Sequence, residues 1–172
     1  GLDRVVYLSD QNGWLASFEL SEEIRPDAKT TVDALKTSGI DVMLLSGDHA
    51  ASVSKVATQL GIETAKGTCT PNDKLESVQS MQAQGHVVAM VGDGLNDGPV
   101  LAASSVSFAM GEGVPLAQAQ ADFVVQGQSL MAIAHTVERA RFCLNIVRQN
   151  LLWAVGYNII CIPLAVSGLL TA

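Results

Sequence analysis

The sequence predicts an α/β fold, a parallel sheet with helices on both faces, followed by a C-terminal transmembrane helix. Three observations lead there. Short apolar runs alternate with amphipathic helical stretches between residues 26 and 125, the pattern of a parallel sheet covered on both sides. Those runs are continuous instead of alternating, as strands buried on two faces require. After Arg148 no charged side chain appears through Ala172, and the stretch is mostly Leu, Ile, Ala and Val. A helix needs about 20 apolar residues to cross ~30 Å of hydrocarbon.

Residues 5–8 and 14–20 are β-rich runs around Asp10-Gln11-Asn12-Gly13. Asn-Gly between apolar runs predicts a hairpin, because both residues tolerate positive φ. Pro26 opens a helix with Ala28, Val32 and Leu35 on one face and Gly39 as its stop. Residues 41–45 read as a buried strand, 50–60 as a helix closed by Gly61, and 62–65 as a short strand. A helix over 71–84 is closed by Gly85, and 87–91 form an apolar strand. A short helix over 99–103 precedes strands at 106–110 and 123–125, and residues 129–149 are helical. In the tail, Pro163 would cost a soluble helix ~3 kcal/mol and is better tolerated in a membrane span. The alternative there is a buried core helix, which is usually shorter and keeps a polar face.

The chain has 172 residues, enough for one ordinary globular domain. Its 17 acidic and 10 basic residues leave a net charge of −7, which argues against nucleic acid as a partner because phosphates must be neutralised by Lys and Arg. Charged residues are only 16%, against roughly 25% in soluble domains, and hydrophobic ones are 48%, which excludes disorder. All but one of the acids lie before Val137, whereas Arg139, Arg141 and Arg148 precede the apolar tail and would hold that end on the cytoplasmic side. Cys69, Cys143 and Cys161 form no CxxC or Cys/His cluster, so neither a disulfide framework nor a zinc site is indicated and a reducing compartment fits. His49, His86 and His135 have no metal-ligand spacing. No signal-peptide pattern opens the chain.

In an open parallel sheet the working site lies at the carboxyl ends of the strands. Ser46-Gly47-Asp48-His49 falls there, with a hydroxyl, a backbone-exposing glycine and a helix start suited to a phosphate oxyanion; a simple turn and helix cap is the alternative. Gly92-Asp93-Gly94-Leu95-Asn96-Asp97-Gly98-Pro99 follows the next apolar strand. Its two carboxylates four apart suit Mg²⁺ beside a phosphoryl group, since Mg²⁺ takes hard oxygen ligands and keeps several waters. The alternative makes Asp97 a helix cap and the glycines turns. Pro71-Asn72-Asp73-Lys74 starts a helix, from which Lys74 either reaches the phosphate as a point charge or is a solvated surface lysine. The reading requires residues 46, 74, 93 and 97 to gather on one rim of the sheet.

Together these pieces resemble the haloacid-dehalogenase-like, Rossmannoid phosphoryl-transfer fold, and specifically the phosphorylation domain of P-type ATPases. Residues 92–99 look like the GDGxNDxP hinge motif, Ser46-Gly47-Asp48 like the TGD loop with Ser for Thr, and Pro71-Asn72-Asp73-Lys74 like the PxxK lysine. Ile24-Arg25-Pro26-Asp27-Ala28 resembles the RPDA run. Gly98 stands where the family usually has Ala. The tail, with Trp153, Tyr157-Asn158 and Ile162-Pro163, is similar to the membrane segment of heavy-metal (type IB) pumps, and Val106-Ser107-Phe108-Ala109-Met110-Gly111 looks most like the bacterial copper pumps of cytochrome oxidase assembly.

The resemblance implies ATP-driven Cu⁺ export. The family's phosphorylated aspartate lies in a DKTGT run, which this sequence does not contain. That residue, the Cys-Pro-Cys motif and the actuator's TGE loop are therefore expected upstream of Gly1, and the chain alone is expected to be inactive. The resemblance assigns Ser46, Gly47 and Lys74 to the phosphoryl oxygens, Asn96 beside them, and Asp48 to docking of the hydrolytic machinery. It assigns Asp93 and Asp97 to Mg²⁺, and Tyr157 and Asn158 to the transported ion; Cys161 is left as packing. The expected partition is a hairpin over 1–20 at the junction with a nucleotide-binding domain, part of the phosphorylation domain over 21–127, a linking helix over 128–148 and the transmembrane helix over 149–172. Expected partners are the bilayer of the bacterial inner membrane, with the domain on the cytoplasmic side, the rest of the pump and a copper chaperone. The rivals are a soluble phosphatase of the same fold and a non-catalytic membrane-anchored piece.

Overall fold

The computed structural model describes residues 4–11, 13–20, 23–92, 97–111 and 119–167. Two strands, β1 (Arg4–Asp10) and β2 (Gly13–Leu20), form an antiparallel hairpin whose register shifts between Leu8 and Ser9. Gly13 sits at φ +134°, as the Asn-Gly signal requires, while Asn12 lies outside the described residues. Val6, Tyr7, Leu8, Trp14, Leu15 and Phe18 are all exposed, and the Tyr7 and Trp14 rings meet at 5.3 Å.

The α/β part follows in the expected order. Helix α1 (Ala28–Thr37) begins two residues after Pro26, with Asp27 in the capping position. It buries Ala28, Thr31 and Val32, and Gly39 adopts the left-handed conformation just beyond its end. Strand β3 (Met43–Leu45) leads to α2 (Ala50–Leu60), which buries Val53, Ala57 and Leu60 and closes on left-handed Gly61. Strand β4 (Thr64–Lys66) precedes α3 (Pro71–Ala83). Strand β5 (Ala89–Gly92), the short helix α4 (Gly98–Ala103), and strands β6 (Val106–Met110) and β7 (Phe123–Val125) complete the layer.

All strand pairs in this layer are parallel, as the apolar runs predicted. Among the described residues they form two sheets, β3–β4 and β5–β6–β7, where the sequence suggested one. Strands β3 and β5 therefore each have β pairing on one side only. This explains why both are shorter than their apolar runs, since a strand lasts only as long as its ladder. It also explains why Met43 and Val91, apolar strand residues, stay partly exposed.

Two apolar clusters hold the layer. Ala28, Val32, Ala57, Leu60 and Ile62 form the first; Phe108, Met110, Val125 and Ile133 form the second. Leu130 packs against both.

The last element, α5 (Met131–Val166), is a single 36-residue helix. No break separates the expected linking and membrane stretches, and the helix passes through Pro163. By length and composition it is the one helix among the described residues able to cross a membrane. The chain divides into two compact units, Gly1–Ile133 and Ala134–Ala172, so only the first turn of α5 belongs to the α/β unit.

Candidate functional site

Three connections leave the carboxyl ends of β3, β4 and β5, and the sequence-predicted residues lie on them. After β3, Ser46 Oγ donates to Asp48 Oδ2 at 2.8 Å, and the Asp48 amide donates back to Ser46 Oγ at 3.2 Å. This tight turn is latched to the connection after β4. The Ser46 amide donates to the Lys66 carbonyl at 3.0 Å, the Cys69 amide to the Ser46 carbonyl at 2.9 Å, and the Thr68 amide to the Asp48 carbonyl at 2.6 Å. Gly67 is required by that approach: a Cβ there would lie 2.6 Å from Ala50 Cα and 2.9 Å from the Asp48 carbonyl oxygen.

The connection after β4 runs straight into α3, which is capped on both sides. Thr70 Oγ1 accepts from the Asp73 amide, and Asp73 Oδ2 accepts from the Thr70 amide at 2.8 Å. The Thr70 hydroxyl also donates to Asp73 Oδ2 at 2.7 Å, and this bond first, then the Thr70 amide and last the nearby Lys66 charge, hold the Asp73 carboxyl below its usual 3.8. With Pro71 at its first turn, the helix start is rigid, and Lys74 projects from it.

Lys74 is not a solvated surface lysine. Its Nζ donates to Asp97 Oδ1 at 2.8 Å, across 23 residues, and both side chains are largely sheltered, 16% and 12% exposed. Asp97 is buried at the residue level and sits in the capping position of α4 without making a side-chain cap bond, so its carboxylate is turned to Lys74 instead. Gly92, the last residue of β5, leaves room for this: a Cβ there would meet Asp97 Cβ at 2.9 Å and Oδ2 at 3.0 Å.

The structure thus joins Lys74 to Asp97 directly. Ser46 and Asp48 are bonded to the connection after β4, whose chain continues through Cys69 and Thr70 into α3, the helix that carries Lys74. Asp93 and Asn96 lie outside the described residues. Asp97 offers a hard carboxylate oxygen of the kind Mg²⁺ takes, and the missing Cβ at Gly92 leaves room for that side chain. Among the described residues no three His, Cys, Asp or Glu side chains cluster as a metal site.

On α5, Asn158 Nδ2 donates to the Ala154 carbonyl at 2.9 Å, one turn back on its own helix, which leaves its Oδ1 for other partners. Tyr157 is exposed and Cys161 half-buried.

Sequence reasoning missed three contributors. Thr70 carries a legible signal, since Thr-x-x-Asp before a helical run is a capping pattern. Gly67 and the carboxylate role of Asp27 have no local signature. Asp27 Oδ2 accepts from Ser129 Oγ at 2.7 Å and from the Met131 amide at 3.1 Å, contacts made 102 and 104 residues away.

Known proteins share this pattern. The haloacid dehalogenase-like hydrolase family model matches residues 2–104, and a second model of the same description matches residues 73–137. The cation-transporting P-type ATPase B of Mycobacterium bovis is 35% identical over 98% of this chain and 22% of its own length. The probable copper-transporting ATPase SynA of Synechococcus elongatus is 37% identical over 97% of this chain and 21% of its own. The nitrogen fixation protein FixI of Bradyrhizobium diazoefficiens is 40% identical over 86% of this chain and 20% of its own. A crystal structure of a zinc-transporting PIB-type ATPase in the E2.Pi state superposes with a TM-score of 0.84 at 30% identity, covering 96% of this chain and 27% of that one. The chain therefore spans about a fifth of the length of the curated relatives it matches. By its sequence, its parallel α/β layer and its motif-bearing rim, it belongs to the haloacid dehalogenase-like hydrolase family and is homologous there to the heavy-metal P-type ATPases.

Proposed function

We propose that this chain is part of an ATP-driven, heavy-metal-exporting P-type ATPase, with Cu⁺ as the transported ion. In this reading it supplies the Mg²⁺ and phosphate side of an aspartyl-phosphate site together with one ion-pathway helix. The observation that carries the reading is the sheltered Lys74–Asp97 pair at the carboxyl edge of the sheet.

The chemistry follows from the rim. An aspartate elsewhere in the pump attacks the γ-phosphate of ATP, forming an aspartyl phosphate as the β–γ bond breaks and ADP leaves, and phosphoryl transfer of this kind is mostly positioning and charge stabilisation. Lys74 presents an ammonium held in place by Asp97, so it meets the equatorial phosphoryl oxygens without having to be ordered first. Ser46 offers a hydroxyl and Gly47 a bare backbone to the same group, and the bonds to Lys66 and Cys69 fix where they stand. Asn96 adds an amide beside them, and Asp48 orients the groups used in the later hydrolysis. Asp93, with Asp97, holds Mg²⁺, which when bound neutralises phosphate charge.

Tyr157 and Asn158 of α5 contribute to the ion path, since a polar amide within an apolar span is costly unless used. The copper assignment draws on the relative described as copper-transporting, alongside a solved relative described as zinc-transporting. The remaining pump supplies the actuator, the nucleotide-binding domain, to which the exposed hairpin β1–β2 offers apolar faces, and the other membrane helices; a copper chaperone delivers the ion. The location is the bacterial inner membrane, with the α/β unit on the cytoplasmic side.

The test is phosphorylation of the full-length pump from γ-labelled ATP, with Cu⁺ or Zn²⁺ added. Acid-stable label that depends on Cu⁺ is expected, and both Lys74→Ala and Asp93→Ala should abolish it. Label dependent on Zn²⁺ alone would reassign the ion, and undiminished label in Asp93→Ala would remove that residue from the magnesium site.

A further inference from the structure

Asp27 occupies the capping position of α1, yet its side chain makes no cap bond there. Aspartate is among the best residue types for that position, so a carboxylate that forgoes its own helix is engaged elsewhere. Both of its bonds go to the start of α5: Ser129 Oγ donates to Oδ2 at 2.7 Å and the Met131 amide to the same oxygen at 3.1 Å. Two residues earlier, Arg25 Nη1 donates to the Gln128 carbonyl at 2.8 Å. Between these polar ties, Leu130 packs against both apolar clusters of the layer. First-turn amides of a helix have no intrahelical acceptor, and the positive end of the helix dipole faces the carboxylate. Its bonds with Ser129 and Met131 lower the Asp27 pKa, so the carboxylate stays charged.

We propose that Asp27 is a positioning residue that, with Arg25, latches the first turn of α5 to the start of α1, so that rearrangement of the α/β layer is transmitted to the apolar helix. This rests on the pump reading above for what α5 does, though not for the latch itself. Asp27 is placed in neither the phosphoryl site nor the ion path, so its loss should separate the two: chemistry persists while its coupling to ion movement fails.

The test uses the full-length pump in proteoliposomes, with Asp27→Ala, Asp27→Asn and Ser129→Ala. Hydrogen exchange is followed in the peptide spanning residues 128–133, and ions moved are counted against ATP hydrolysed. In Asp27→Ala the Met131 amide should exchange about fivefold faster, as expected for a lost cap. Phosphoenzyme should stay near the unaltered level, while ions moved per ATP fall about tenfold, a typical coupling magnitude. Asp27→Asn keeps an acceptor oxygen and should restore most of both. Ser129→Ala removes one donor, should fold normally and should show a smaller effect of the same sign. Unchanged exchange in Asp27→Ala would overturn the latch, and faster exchange with unchanged ions per ATP would overturn its coupling role. An unaltered pump that forms no phosphoenzyme would instead overturn the parent reading and the coupling role with it, while the exchange measurement still decides the latch.

Discussion

Among individual residues, the strongest electrostatic commitment is Lys74 to Asp97. The pair is sheltered enough that removing one partner leaves the other charge desolvated and unpaired, whereas removing both leaves none. Lys74→Ala and Asp97→Ala should each lower the unfolding free energy by roughly 2–4 kcal/mol, and the double variant by clearly less than their sum. Equilibrium denaturation of the three variants reads the coupling directly; strict additivity would mean the two groups do not depend on each other. The residues of this pair were legible as candidates because each lies in a motif, but their partnership was not: it spans 23 positions and two helices. Asp27 shows the limit more sharply. Its type and position beside Pro26 mark a helix start, and nothing nearby in the sequence says that the carboxylate serves a different helix.

Elements behaved as their punctuation required. Gly39, Gly61 and Gly85 are all left-handed and stand just past helix ends, so stops were readable from glycine alone. Strand limits were not readable, because they depend on pairing with other strands: β3 and β5 end where their single ladders end. Two predictions belong here. Thr70→Ala should weaken the start of α3 by about 1 kcal/mol. Asp73, alongside Asp27, contributes to the acid limb of stability, since its folded pKa lies below its usual 3.8. Its contribution is therefore complete above that value and is lost as pH falls through the lower, folded one. A pH titration of thermal unfolding should show this limb shrink in Thr70→Ala; an identical limb would assign the acid sensitivity to other carboxylates. Gly67→Ala should cost about 1–3 kcal/mol, because its Cβ would strike the Ala50 backbone, which cannot move aside as a flexible side chain could. Unchanged stability there would mean that the connection after β4 can shift away from α2.

For the molecule as a whole, the apolar tail was the most legible feature, and the division of the sheet the least. Uncharged composition after Arg148 is a property of sequence, whereas two half-sheets without mutual pairing among the described residues are a property of where strands meet. The proposed orientation of the tail can be checked on residues already present. Helix α5 carries Leu151, Leu152, Trp153, Ile159 and Ile160 exposed, a surface with no stable place in water at that density. Within α5, Arg139, Arg141 and Arg148 precede this apolar stretch, and basic residues flanking a span stay on the cytoplasmic side. Cys143 lies among those arginines and is exposed, Cys161 lies within the apolar stretch, and Cys69 is buried. In bacterial spheroplasts a membrane-impermeant maleimide should label none of the three. Opening the membrane should expose Cys143 while Cys161 stays shielded, and Ile159→Arg, which places a charge near the middle of the span at a cost of about 2.5–3.5 kcal/mol, should reduce the membrane-bound share. Labelling of Cys143 from outside intact spheroplasts would invert the orientation. Labelling of Cys161 as fast as Cys143 in the opened membrane would mean that α5 lies in water, and the ion path assigned to Tyr157 and Asn158 would have no membrane to cross.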